Sequence, residues 1–232
     1  MCESGDEAKS IKHFMHFFKF KHPTTVAVTG PSQVGKSFFC IKLLNELNDL
    51  MTPCPTQIIW AYGVRDDEQM DTILQVSPTV EFTEELPEKR SFCNPNQKTL
   101  LILDDLMDEV GRDKEIAKLF TMNSHHCNTS VITIQHNLFN QEKFSRTQNL
   151  NTHYNTLFQS KRDKSQITRL NTSMFPQYPK FLQSAYDQAV EGKDFKYLIV
   201  DSHPRTPESL SVVTGIFKDE IPQVFIPSDC FK

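Results

Sequence analysis

The sequence predicts an α/β fold with a mostly parallel central sheet flanked by helices, and three observations carry that expectation. A short β-branched run at residues 24–29 leads into "GPSQVGKS" and then into apolar residues at helical spacing, so strand, glycine loop and helix follow one another. Continuous apolar runs of strand length, "QIIWAYG" and "TLLILDDL" among them, read as strands buried on both faces. Helical stretches alternate with these runs, the order that a parallel sheet covered on both sides requires.

Taken along the chain, residues 24–29 form the first strand. A helix over 37–51 follows, with Phe38, Ile41, Leu44, Leu47 and Met51 as its apolar positions. Residues 57–63 are a second strand. The Pro-, Glu- and Asp-rich stretch 65–97 holds a helix near 68–75 and a short strand at 80–82. Residues 99–106 form the acid-terminated strand, 114–123 a helix, and "TSVITIQ" (129–135) the next strand. Residues 153–159 and 196–201 complete the set, with a helix over 180–190 between them. Trp60, Tyr62 and the strand phenylalanines are expected in the core. No repeat or low-complexity tract interrupts the 232 residues, which suit one domain: an aromatic N-terminal segment (1–20), a core (21–217) and a tail (218–232).

Gly30, Gly35, Lys36 and Ser37 stand at the spacing G-x-x-x-x-G-K-S of a phosphate-binding loop. In such a loop the backbone N–H groups of Gly30, Pro31, Ser32, Gln33, Val34, Gly35, Lys36, Ser37 and Phe38, apart from the proline, wrap a nucleotide's phosphates at a helix N-terminus. Lys36 then reaches the β and γ phosphates of ATP, and the Ser37 hydroxyl ligates Mg²⁺. The run from Leu100 to Leu103 ends in Asp104 and Asp105 on the same sheet edge, so Asp104 is assigned to the metal and Asp105 to an attacking water. Gln135 ends a strand expected between the loop strand and the acidic strand, where its amide can orient that water. The basic residues Lys143, Arg146, Lys161, Arg162, Lys164 and Arg169 offer an arginine to a neighbouring subunit's nucleotide, or phosphate contacts to a nucleic acid.

Composition limits the alternatives. A net charge of −4 gives no global basic field, so DNA contact needs a local patch. Six scattered cysteines without a C-x-x-C pair or a leader read as reduced thiols in an intracellular protein. The apolar clusters are too short to span a bilayer. Lys12, His13, His16, Lys19 and Lys21 interrupt the cluster Phe14, Met15, Phe17, Phe18 and Phe20, which favours packing on the core over a membrane anchor. His125, His126 and Cys127 lack a second pair to complete a metal site.

"LFQSKRD" echoes the guanine-reading element of GTPases, yet neither Asp104 nor Asp105 is followed by glycine at the third place, as D-x-x-G requires. The extra strand ending in Gln135 separates the chain from small-molecule kinases and points to ATPases that work as rings. A switch or scaffold with little turnover, and a nucleic-acid binder without a motor, remain as alternatives.

The blocks "HPTTVAVTGPSQVGKSFF", "LLILDDLM", "SHHCNTSVITIQHNLF", "NLNTHYNTLFQSKRDKSQI" and "LIVDSHPRTP" together resemble the genome-packaging ATPases of the FtsK/HerA superfamily. The likeness is greatest to those of adintoviruses and Polinton/Maverick elements, relatives of the poxvirus packaging ATPase, and runs from about residue 20 to residue 217. The resemblance implies a RecA-like ASCE core, a homo-oligomeric ring, and ATP-driven pumping of double-stranded DNA into capsids. Capsid or portal-vertex proteins are further partners, at intracellular assembly sites and without a membrane. It places the phosphate-binding lysine on Lys36, the acidic pair on Asp104 and Asp105, and the strand-end glutamine on Gln135. The trans-acting arginine falls on Arg146, with Arg162 second. Asp105 departs from the glutamate that many ATPases use there, and the chain carries no evident nuclease domain.

Overall fold

The computed structural model describes residues 18–139, 142–161, 164–191 and 195–228. Lys12, His13, Phe14, Met15, His16, Phe17 and Arg162, named above, lie outside them, as do two of the six cysteines, Cys2 and Cys230.

The strands, in chain order, are β1 (Phe20–Lys21), β2 (Thr25–Thr29), β3 (Met51–Thr52), β4 (Gln57–Tyr62), β5 (Val80–Glu84), β6 (Thr99–Asp104), β7 (Thr129–Gln135), β8 (Tyr154–Phe158), β9 (Tyr197–Asp201), β10 (Val212–Thr214) and β11 (Gln223–Val224). Nine of these form one sheet in the order β11-β10-β9-β8-β2-β7-β6-β4-β5, and β1 pairs with β3 beside it. From β5 to β8 every pairing is parallel. β7 lies between β2 and β6, as the position of Gln135 requires.

The apolar strand runs are continuous because both faces of the sheet are covered. Leu100 and Ile102 pack with Val26, Val28, Phe39 and Leu43 on the face that carries helix Lys36–Asn45. Leu101 and Leu103 pack with Leu106, Ile116 and Phe120 on the other. Each such side chain contributes roughly 1.5–3 kcal/mol on burial, so this alternation fixes the strand's register and with it the place of Asp104. Phe18 and Phe20 also join the core, stacking edge-on around Tyr154.

Four expectations need correction. The first helix stops at Asn45, and Glu46 (φ −111°, ψ 21°) breaks it before a single turn, Leu47–Leu50; Met51 then opens β3 instead of closing a helix. Phe38 is not a core position but 56% exposed: Lys36 and Phe39 of the same turn are buried, and Phe38 points instead to the cleft wall beside Phe195. The helix over 114–123 is α-helical only to Lys118, and a π-helical turn, Leu119–Asn123, follows. β9 runs antiparallel to β8 although helices separate them. Two helices, Ser165–Met174 and Phe181–Val190, pack as a pair and return the chain to the edge it left, whereas one would have carried it across.

Cysteine usage is the fifth correction. Cys93 and Cys127 are joined in a disulfide with Cα atoms 4.2 Å apart, so these two are not reduced thiols. No short motif is needed: the pairing of Thr99 with Thr129 brings together the segments that precede β6 and β7. Cys127 is thereby committed to Cys93. Among the described residues no group of three or more His, Cys, Asp or Glu is placed to hold a metal.

Candidate active site

β2 runs into the glycine loop and the helix Lys36–Asn45 starts at Gly35, whose φ of 96° suits glycine. Gln33 also takes a positive φ, 64°, and the two left-handed residues curl the loop so that its amides face one concavity. No side chain caps the helix and no acid stands in its first turn. Its N-terminal amides are therefore free of the groups that would compete with, or repel, a phosphate.

Lys36 is buried, and its Nζ donates to the carbonyl oxygens of Gly30 and Pro31, each at 2.8 Å. That engages two of its three N–H donors. Burial lowers its pKa, while the charges of Asp104 and Asp105 act in the opposite sense. The Ser37 hydroxyl donates to Asp104 Oδ2 at 3.4 Å, and the same oxygen accepts from Gln69 Nε2 at 3.0 Å. Burial pushes the Asp104 carboxyl above its usual range, against those two hydrogen bonds and Lys36. A hydroxyl and a carboxylate so close form a donor set that suits Mg²⁺, which takes one or two protein oxygens and completes its shell with phosphate and water.

Asp105 follows with φ 56°, a left-handed conformation that Asp tolerates better than most residues. This turn aims its carboxylate into the cleft, where His136 Nε2 lies 3.4 Å from Oδ1. Gly63 makes room for the turn, since a Cβ there would sit 2.5 Å from the Asp105 carbonyl oxygen. These groups line a cleft of 440 Å³ that includes Ser32, Gln33, Gly35, Lys36, Ser37, Phe38, Asp104 and Asp105.

Gln135 and Arg146 are placed otherwise. The Gln135 carbonyl accepts from Gly30 N at 3.1 Å, and its Nε2 donates to Thr29 Oγ1 at 3.1 Å. It braces the root of the loop, while its neighbours Ile134 and His136 line the cleft. Arg146 is exposed on the short helix Ser145–Leu150 and is not part of the cleft wall.

The comparisons with solved structures address the fold. The DNA-packaging ATPase B204 from Sulfolobus Turreted Icosahedral Virus superposes with a TM-score of 0.51 at 12% identity, covering 89% of this chain and 99% of that one. ATPases 2 and 3 of EssC from Geobacillus thermodenitrificans give 0.53 at 13% identity, over 89% of this chain and 40% of that one. The fold is that of a RecA-like ASCE P-loop NTPase. At these identities the likeness is one of architecture, shared with a viral genome-packaging ATPase. No protein-family model matches the chain, and no curated protein matches it.

Among the cleft residues that the sequence did not single out are Gln69, His136 and Phe195. Gln69 reaches Asp104 only because helix Asp67–Val76 packs beside the loop helix, a contact with no linear signature. His136 had one, as the residue after a strand end already assigned to the γ-phosphate. The Phe195 ring lies against Gly35 across the whole fold.

Proposed function

We propose that this chain is an ATP-hydrolysing motor that moves double-stranded DNA, working as a homo-oligomeric ring that packages a viral genome into capsids. The observation that carries the reading is the convergence of Ser37 and Asp104 beside an uncapped helix N-terminus. A bound Mg²⁺ would neutralise charge between the β and γ phosphates. Lys36 donates to the same phosphates, Asp105 polarises the attacking water, and Gln135 and His136 hold the loop and Asp105 in place. The motif blocks shared with adintovirus and Polinton/Maverick packaging ATPases support the DNA-pumping part, as does a fold like that of a packaging ATPase.

The described residues of the cleft wall include no arginine, and a motor of this kind would take one from a neighbouring subunit, which contributes about 10³–10⁵ in rate. Arg146 and Lys161 have no ion pair among the described residues, whereas Lys164 is paired with Asp187 at 2.9 Å and Arg169 lies over the Phe139 ring. Capsid or portal proteins are the further partners. Among the described residues no helix is long and apolar enough to cross a membrane.

The test is ATP hydrolysis across protein concentration, with and without double-stranded DNA, for the parent and Lys36→Ala. The expected outcome is turnover that rises with both and vanishes on substitution. Fast turnover by a dilute monomer, or tight ATP binding with no turnover under any of these conditions, would overturn the motor.

A further inference from the structure

Large apolar side chains are rarely left in water without cause, and three of them share one wall here. Phe38, Val64 and Phe195 are 56%, 70% and 55% exposed, and all line the cleft that holds the phosphate loop. Phe195 is also held at φ 60°, a conformation that costs a non-glycine residue energy and persists where the surroundings enforce it. Its ring lies directly on the loop: a Cβ added at Gly35 would lie 2.3 Å from Phe195 Cδ1.

We propose that Phe195 and Phe38 form the stacking surface for the purine ring of the bound nucleoside triphosphate. The proposal rests on the nucleotide-binding reading above and adds where the base lies and how it is recognised. Ser37 and Asp104 mark the metal side of the cleft, where the distal phosphates belong. The nucleoside must then leave the loop on the other side of the helix N-terminus. There the cleft continues, through Gly35, Phe38 and Phe195, into a second cavity of 150 Å³.

The geometry also states how the ring is held. The Phe38 and Phe195 centroids are 5.8 Å apart with planes tilted by 43°, too close to admit a base between them. The base therefore lies on their outward faces. Two polar groups of the cavity wall are already engaged: Lys42 pairs with Asp219 at 2.6 Å and Glu220 at 3.4 Å, and Glu220 accepts the Tyr197 hydroxyl. Lys196, in the same wall, offers donors only, and every base carries an acceptor, so the base is selected by ring area. Stacking tolerates any base because each has a π-face, so ATP and GTP bind alike and CTP binds more weakly.

Equilibrium binding to the full chain in Mg²⁺ tests this, with ATP, GTP, CTP and inorganic tripolyphosphate as ligands. Phe195→Ala and Phe38→Ala should each weaken ATP on the order of ten-fold and leave tripolyphosphate unchanged, and Phe195→Trp should restore ATP binding. Unchanged ATP affinity in both alanine variants would overturn the stacking surface. So would parallel loss of ATP and tripolyphosphate, which would make the rings mere supports of the loop, or CTP binding as tightly as ATP to the parent. A parent that binds neither ATP nor tripolyphosphate would instead refute the nucleotide reading itself, and the stacking surface with it.

Discussion

Asp104 carries a cost that its position imposes. Burial raises its folded-state pKa, so the folded protein binds this proton more tightly than the unfolded chain does. Stability from that term is fully present below the unfolded value of about 4 and is lost as pH rises through the higher folded value. Asn cannot ionise and keeps an oxygen for Gln69 and Ser37. Asp104→Asn should therefore melt at a higher temperature than the parent at neutral pH, the gap closing as pH falls towards about 4. Asp105 remains near Lys36 to support its charge. Thermal melts over that pH range check the expectation, and an equal or lower melting temperature at neutral pH would contradict it. The same variant should lose Mg²⁺-dependent turnover, so stability and activity move in opposite directions, as they do where a site keeps a buried charge for function. Asp104 was legible as the acid ending an apolar run, and Lys36 and Ser37 as members of a spaced motif. Gln69 and Phe195 were not, because their contacts are made between elements distant in the chain.

At the scale of elements, the disulfide joins the segments before β6 and β7, and Thr129 Oγ1 adds a hydrogen bond to the Phe92 carbonyl at 2.6 Å. The cleft lies at the other ends of these strands, six residues along β6, or about 20 Å at the usual rise. Closing a loop with a sequence separation of 34 is worth about 3–4 kcal/mol in the chain-entropy account. Reduction, or Cys93→Ser with Cys127→Ser, should lower the melting temperature by roughly ten degrees while leaving ATP affinity unchanged. A changed affinity would mean that the two sheet edges are coupled. Sequence pattern disclosed β2, β4, β6, β7, β8 and β9 because buried strands write themselves as apolar runs. It missed β1, β3 and β11, each of two residues, and β10, of three, all too short for any periodicity. It also missed the direction of β9, which depends on counting helices inside one long connection.

At the scale of the whole molecule, the proposed motor sets a different problem, since the described residues of the cleft wall include no arginine. A ring resolves it through a head-to-tail interface, in which one surface of a subunit meets a different surface of the next. A side chain remote from its own cleft can then lie in its neighbour's. Arg146 meets the requirements: exposed, without an ion pair among the described residues, and on a helix whose Leu150 is 72% exposed. Arg146→Ala and Lys36→Ala should each be inactive alone, the first by about three orders of magnitude or more. Mixed together they should regain turnover, because one interface in the mixed ring combines an intact loop from the first variant with an intact arginine from the second. Rescue that peaks at an intermediate mixing ratio and fails at dilutions where the ring dissociates would identify a residue acting between subunits. If Arg146→Ala alone keeps parental turnover, the role passes to Arg162. If the mixture forms rings and stays inactive, Arg146 supports its own subunit instead, and hydrolysis must be completed by another group at the interface.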